Sequence, residues 1–212
     1  LFAFGDVTKV AFMINMMSVL CSAFTILFLF WTITYFAKKL TSKVDDSASK
    51  FWTILGAGIV GALAYTFSDS FWFSAVEGEV YAMSSMFTAL VFWLMLKWEE
   101  DADDPRSFRW IILITFLIGL SIGVHLLNLL TLPALIMIYY YRKYNVTKKG
   151  IFYALAISVI LLAFMFYMLI PGMVWLAGHF ELFFINNVGL PFNAGTIIFF
   201  ALLIGLIVFG LH

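Results

Sequence analysis

WIILITFLIGLSIGVHLLNLLTLPALIMIYYY, residues Trp110 to Tyr141, runs for 32 residues without a formally charged side chain, His125 being the one group there able to take up a proton near neutral pH. As a single helix it would be about 48 Å long, well beyond the roughly 30 Å of hydrocarbon in a bilayer. As two helices it falls short of the roughly 60 Å that two crossings require. The flanking charges decide. A single crossing would set Arg142, Lys143, Lys148 and Lys149 opposite Lys97, Arg106 and Arg109, against the bias of basic residues toward the cytoplasm. Two short helices are therefore predicted, over 110–124 and 127–141, with a turn near Gly123 to Asn128. That turn would lie below the outer membrane surface, buried in protein or at the floor of a wet cavity, because lipid does not tolerate irregular backbone.

Working outward, apolar stretches of crossing length predict further spans at about 10–36, 51–67, 80–98, 151–170 and 196–211, with external loops at 68–79 and 171–195 and a solvated acidic loop from Glu99 to Asp104 that Pro105 closes. The expected fold is all-α: a polytopic integral membrane protein of about seven helices in a single transmembrane domain over 1–212, with an external amphipathic segment. This topology places eleven of the twelve basic residues inside and only Lys9 outside. Composition agrees, with 64% hydrophobic and 11% charged residues and a mean hydropathy of +1.05. No soluble domain carries so little charge. Zero net charge and the lack of any basic tract interleaved with aromatics exclude a nucleic-acid partner. The single Cys21 lies in an apolar run and reads as small-residue packing, as do Gly56, Gly58 and Gly61. The chain starts at LFAFGDVTKV and stops within LIVFGLH, and it reads as an internal stretch of a longer protein.

Candidate chemistry gathers on the expected external face. Ser74-Ala75-Val76-Glu77 has the spacing of a capping box at a helix start, which gives Glu77 a structural task. Glu79, with Met83, Met86 and Leu90 along one stripe, would hold a carboxylate just below the outer interface, where it needs water, a cation or a partner. His125 and Asn128 lie three apart near the recessed turn. They either meet a phosphate or a sugar hydroxyl, or satisfy the loose backbone of the turn. In the 171–195 segment, His179 and Glu181 are two apart and diverge on a helix. Asp69 lies on the same face. No metal-ligand set, Walker loop or nucleophile elbow occurs, which argues against protease, ATPase and hydrolase readings.

Four stretches, FGDVTKVAFMINMMSVLCSAFTILFLFW, FWFSAVEGEVYAMSSMFTAL, GLSIGVHLLNLLTLPA and IPGMVWLAGHFELFFINNVGLPFNAG, together resemble a family of bacterial multi-spanning proteins. That family is related to protein O-mannosyltransferases and to a vertebrate endoplasmic-reticulum O-mannosyltransferase, and it looks like the GT-C glycosyltransferases. The resemblance implies inverting transfer of a sugar, mannose being one candidate, from a polyprenyl-phosphate carrier to a protein Ser/Thr or other acceptor. The reaction would occur on the outer face of a bacterial inner membrane. It implies an acidic catalytic base upstream of Leu1, with Glu79 as a second acidic position near the donor phosphate. His125 and Asn128 would line the same site, with Glu77, Asp69 and His179 completing the substrate-binding candidates. Some members of the superfamily use a divalent cation and others do not. Two other classes compete: a secondary transporter or flippase with Glu79 and His125 on its substrate path, and a structural membrane subunit of an envelope complex.

Overall fold

The computed structural model describes residues 5–45 and 47–211, which form helices and no strand. Nine α-helices follow in order: α1 Val10–Leu40, α2 Ala48–Thr66, α3 Asp69–Val76, α4 Val80–Asp101, α5 Phe108–Ile122, α6 Leu132–Lys143, α7 Lys148–Phe164, α8 Ile170–Phe183 and α9 Ala194–Leu211. Four helical stretches are long and apolar enough to cross a membrane: Val7–Leu40, Ala48–Thr66, Val80–Asp101 and Lys148–Val188. Phe108–Ile122 and Ala194–Gly210 are shorter apolar helices. These lengths and compositions are compatible with an integral membrane protein. The chain divides into two compact units, residues 1–155 and 156–212.

In the first unit α4 is the central helix, and it packs against α1, α5 and α6. Val91, Leu94, Met95, Leu96 and Trp98 on its second half are all buried. The charged turn Glu99 to Asp104 fastens several helix ends together. Glu99 accepts from the Tyr35 hydroxyl at 2.9 Å and pairs with Lys39 at the end of α1. Arg142 Nε at the end of α6 donates to the Glu99 main-chain oxygen at 3.1 Å, and the guanidinium pairs with Asp103. That bond and the nearby positive charges hold the Asp103 carboxyl below the ordinary carboxylate range. Lys143 donates to the Ala102 carbonyl, Trp98 stacks on Tyr139 with ring centroids 5.0 Å apart, and Arg109 lies 3.8 Å from Asp101. The turn predicted as a solvated loop is thus partly covered, with Ala102 only 2% exposed, because its carboxylates neutralise the basic groups around it.

These contacts make α5 and α6 a returning hairpin on α4. Basic residues at the ends of α1, α4 and α6 and the starts of α2, α5 and α7 therefore share one end of the unit, while Lys9 lies at the other. The predicted split of residues 110–141 is present, with its turn drawn out into a 3-10 segment, Leu126–Thr131. Asn128 in that segment meets Ser84 and Thr88, which puts the turn about 6–12 Å below the start of α4 at 1.5 Å per residue. Three donors converge on the Ser121 carbonyl there: the amides of Val124 at 3.0 Å and His125 at 2.9 Å, and Asn128 Nδ2 at 3.4 Å. These bonds satisfy part of the backbone that the turn leaves unpaired.

Three local expectations are corrected. Ser74 does not start a helix: it is inside α3 and donates to the Ser70 carbonyl, while Glu77 caps the C-terminal end of α3. The capping-box spacing coincides with a helix end, and α4 begins three residues later. Gly58 and Gly61 do pack on α1, where an added Cβ would sit 2.5 Å from Thr34 and 2.6 Å from Ile33, but Gly56 has open space. The break expected at Ile170 is absent too.

Helical backbone continues from Lys148 to Val188, so the stretch 171–195, predicted as an external amphipathic loop, is mostly helix with apolar groups all round. Pro171 lacks an amide hydrogen and would crowd the preceding turn. A π-helical turn, Met165–Leu169, absorbs this: the Ile170 amide reaches back to the Met165 carbonyl. A second π turn, Phe184–Val188, ends at Gly189, whose φ of 74° is left-handed. In the second unit Glu181 then caps α9, accepting from the Thr196 amide at 2.8 Å and hydroxyl at 3.1 Å and from the Asn193 amide. A Cβ at Gly195 would stand 2.5 Å from the Phe180 carbonyl oxygen and from Glu181 Cα, both backbone atoms that cannot swing aside. Replacing Gly195 by Ala is expected to cost about 1–3 kcal/mol. Gly178→Ala in the same unit, with nothing within 4 Å, should be close to neutral; thermal unfolding of both variants in detergent checks the contrast.

Candidate functional site

The end of the first unit opposite the basic cluster is built from the start of α1, the α3 helix, the Glu77 to Glu79 turn, the start of α4 and the recessed turn. Its position follows from close packing at Gly78. A Cβ there would lie 2.6 Å from Ile14 Cγ2 and 3.0 Å from Asn15 Oδ1, so the acidic turn sits directly on the first turns of α1. Glu79 is the N-cap residue of α4, with extended backbone, but its carboxylate makes no capping bond and is exposed. A carboxylate at a helix N-terminus faces unpaired amides and the positive end of the helix dipole. Glu77 is half-buried and Asp69 exposed in the first turn of α3.

His125 faces this end from the recessed turn. Its Nδ1 accepts from the Leu127 amide at 3.2 Å and its ring lies 5.8 Å from that of Tyr81, two residues beyond Glu79. An accepting Nδ1 assigns the proton of the neutral ring to Nε2, leaving one N–H donor for a ligand. Asn128 is placed differently. It is 5% exposed, its Oδ1 accepts from the Ser84 and Thr88 hydroxyls, and its amide goes to the Ser121 carbonyl. Its polar atoms are occupied within the fold, tying the turn to α4 and α5 and so setting the position of His125. His179 belongs to the second unit, where Nδ1 bonds the Trp175 carbonyl at 2.9 Å and the ring stacks on Trp175 at 3.8 Å. Glu181 turns instead to α9, so the two diverge as their spacing requires.

Asn15 is the residue at this end that sequence reasoning passes over; an amide in an otherwise apolar helix was its only signal. It heads a polar row on one side of α1 with Ser18, Ser22 and Thr25, spaced three, four and three residues apart. Ser18 and Ser22 are 2% and 5% exposed, and their hydroxyls have no hydrogen-bond partner. Beside them, α1, α2 and α3 border an apolar cleft of about 350 Å³ lined by Val19, Ser22, Ile26, Phe71 and Trp72. A mostly apolar cleft of about 480 Å³, with Leu29, Ile33 and Phe92 as well as Thr25, Ser84 and Thr88 in its walls, lies between α1, α2 and α4. Among the described residues no three or more His, Cys, Asp or Glu side chains converge to hold a metal ion. Asn128→Ala would strand the Ser84 hydroxyl and remove a tie across the recessed turn. A loss of about 1–3 kcal/mol is expected, read as a lowered unfolding temperature, whereas Asn128→Asp keeps the acceptor and should lose less.

A family model described as the protein O-mannosyl-transferase TMEM260 N-terminal domain matches residues 1–148. No curated protein and no solved structure matches the chain. The matched stretch takes in α1 to α6 and with them the acidic turn, the start of α4 and the recessed His125 turn. The chain belongs to the family of the protein O-mannosyl-transferase TMEM260 N-terminal domain.

Proposed function

We propose that this chain is part of a membrane glycosyltransferase that moves a sugar, with mannose the first candidate, from a polyprenyl-phosphate carrier to a protein Ser/Thr hydroxyl. The observation that carries the reading is the family match over the same residues that build the acidic end of the first unit. In this reading α1, α2, α4, α5, α6, the long Lys148–Val188 helix and α9 make seven crossings of GT-C type. The basic end faces the cytoplasm and the acidic end faces outward, from a bacterial inner membrane. The charge distribution of the first unit supports that orientation.

The chemistry asks for three things at that end. An acceptor hydroxyl must lose its proton to a carboxylate as its oxygen attacks the anomeric carbon from the face opposite the phosphate, inverting that carbon. The carbon–oxygen bond to the phosphate breaks, and the phosphate leaves with the electron pair. Its growing charge calls for a fixed donor, which His125 Nε2–H supplies. Glu79 accepts from sugar hydroxyls and orients the donor, with Glu77 and Asp69 beside it on the same face. Glu79 is not that base, and neither are Glu77 and Asp69. Asn128 is a positioning residue that holds the His125 turn. A carrier chain needs an apolar path reachable from lipid, and the cleft along Val19, Ile26 and Trp72 is the segment of α1 to α3 that suits it.

Glu79→Gln in the full-length protein removes charge from an exposed side chain that makes no capping bond, so insertion and folding should be unchanged. Transfer from a polyprenyl-linked donor is expected to fall about 100-fold through loss of donor orientation, measured with purified protein and an acceptor peptide. Transfer at the parental rate would remove Glu79 from the reaction.

A further inference from the structure

At the opposite, basic end of the first unit, α1, α2 and α4 border a cleft of about 350 Å³ that the proposed reaction does not use. Trp31 and Lys38 of α1, Ile54 of α2, and Trp93, Lys97 and Glu100 of α4 are among its walls. Its charges do not cancel. Lys97 is paired with Glu100 at 2.7 Å, while Lys38 has no ion-pair partner among the described residues. The neighbouring polar groups are committed elsewhere, since Tyr35 and Lys39 both go to Glu99. One positive charge is left facing the cleft.

Below that charge the lining carries two tryptophans, and Phe28 extends their aromatic surface just beyond the cleft. The Trp31 and Trp93 rings lie 4.9 Å apart, and Phe28, one helical turn farther from the end of α1, lies 5.7 Å from Trp31 and 5.6 Å from Trp93. The Lys97 ammonium is 5.9 Å from the centre of the Trp93 ring. The cleft thus has an ammonium at the helix ends and an apolar aromatic wall running toward mid-helix, the order met on passing from a membrane's headgroups into its hydrocarbon. We propose that this cleft binds one anionic phospholipid, its single phosphodiester charge against Lys38 and an acyl chain along Trp31, Trp93 and Phe28. A small soluble anion would not use the aromatic wall. A zwitterionic lipid brings a second cation toward Lys38. The proposal rests on the membrane placement of the helices and is independent of sugar transfer.

The test is quenching of tryptophan fluorescence in the full-length protein reconstituted in phosphatidylcholine vesicles, with either brominated phosphatidylglycerol or brominated phosphatidylcholine as the minor component. The parent protein should prefer the anionic lipid about fivefold, the scale expected of one lysine at a membrane surface. Lys38→Gln should bring the preference to parity and Lys38→Arg should keep it. Lys43→Gln, in the turn after α1 and outside the cleft, should also keep it. Equal preference in the parent and in Lys38→Gln overturns the site. An equal loss in Lys43→Gln reduces it to diffuse surface attraction, and displacement by inorganic phosphate makes the ligand a soluble anion; either result overturns the proposal.

Discussion

Glu99 is the point on which the first unit turns. Its carboxylate takes Tyr35 and Lys39 from α1, and its main-chain oxygen takes Arg142 from α6. Three helix ends are thereby fixed at one level, and the side chain keeps only 18% of its exposure. A carboxylate so covered would be costly alone, and its partners remove that cost while satisfying its lone pairs. With α1, α4 and α6 fastened there, α5 can only lead away along α4 and the 3-10 segment can only lead back.

The opposite end is organised by a different economy of polar groups. Asn128 and the Ser121 carbonyl absorb several of the donors and acceptors that the recessed turn exposes. What remains outside that network is the Glu79 carboxylate, Glu77 and the second nitrogen of His125. Separation of the two ends follows from one hairpin: most basic side chains and their counter-ions collect where the helices are fastened, and Asp69, Glu77 and Glu79, without an ion-pair partner among the described residues, collect at the other end beside the Asp6–Lys9 pair.

Much of this was legible in the amino-acid sequence because it depends on lengths and signs of charge. The 32 residues from Trp110 to Tyr141 were too long for one crossing and too short for two, and the basic residues on either side required a return. The local details were not legible, since each depends on tertiary context. Ser74 and Glu77 have the spacing of a helix start but mark a helix end, because nothing in four residues says on which side the helix lies. The span expected to end at 170 runs on, because a π turn before Pro171 lets the helix pass. Asn128 looked like a ligand to substrate as readily as a brace, and only the hydroxyls of Ser84 and Thr88, some forty residues away in sequence, show what its amide is bound to. The acidic turn Glu99 to Asp104 looked solvated because its partners on α1 and α6 are remote in sequence.

The position of the acidic end depends on the return of α6 to the charged end of α4. With Cys21 replaced by Ser, cysteines at positions 103 and 143 should be joined by a short bifunctional thiol reagent in membranes, since Lys143 Nζ and Asp103 Oδ1 are 3.8 Å apart. A single helix from Phe108 to Lys143 would instead hold them about 50 Å apart at 1.5 Å per residue. Efficient intramolecular cross-linking is the result expected. Two cysteines that both react with a monofunctional reagent but never join would contradict the hairpin, and with it the placement of the acidic end.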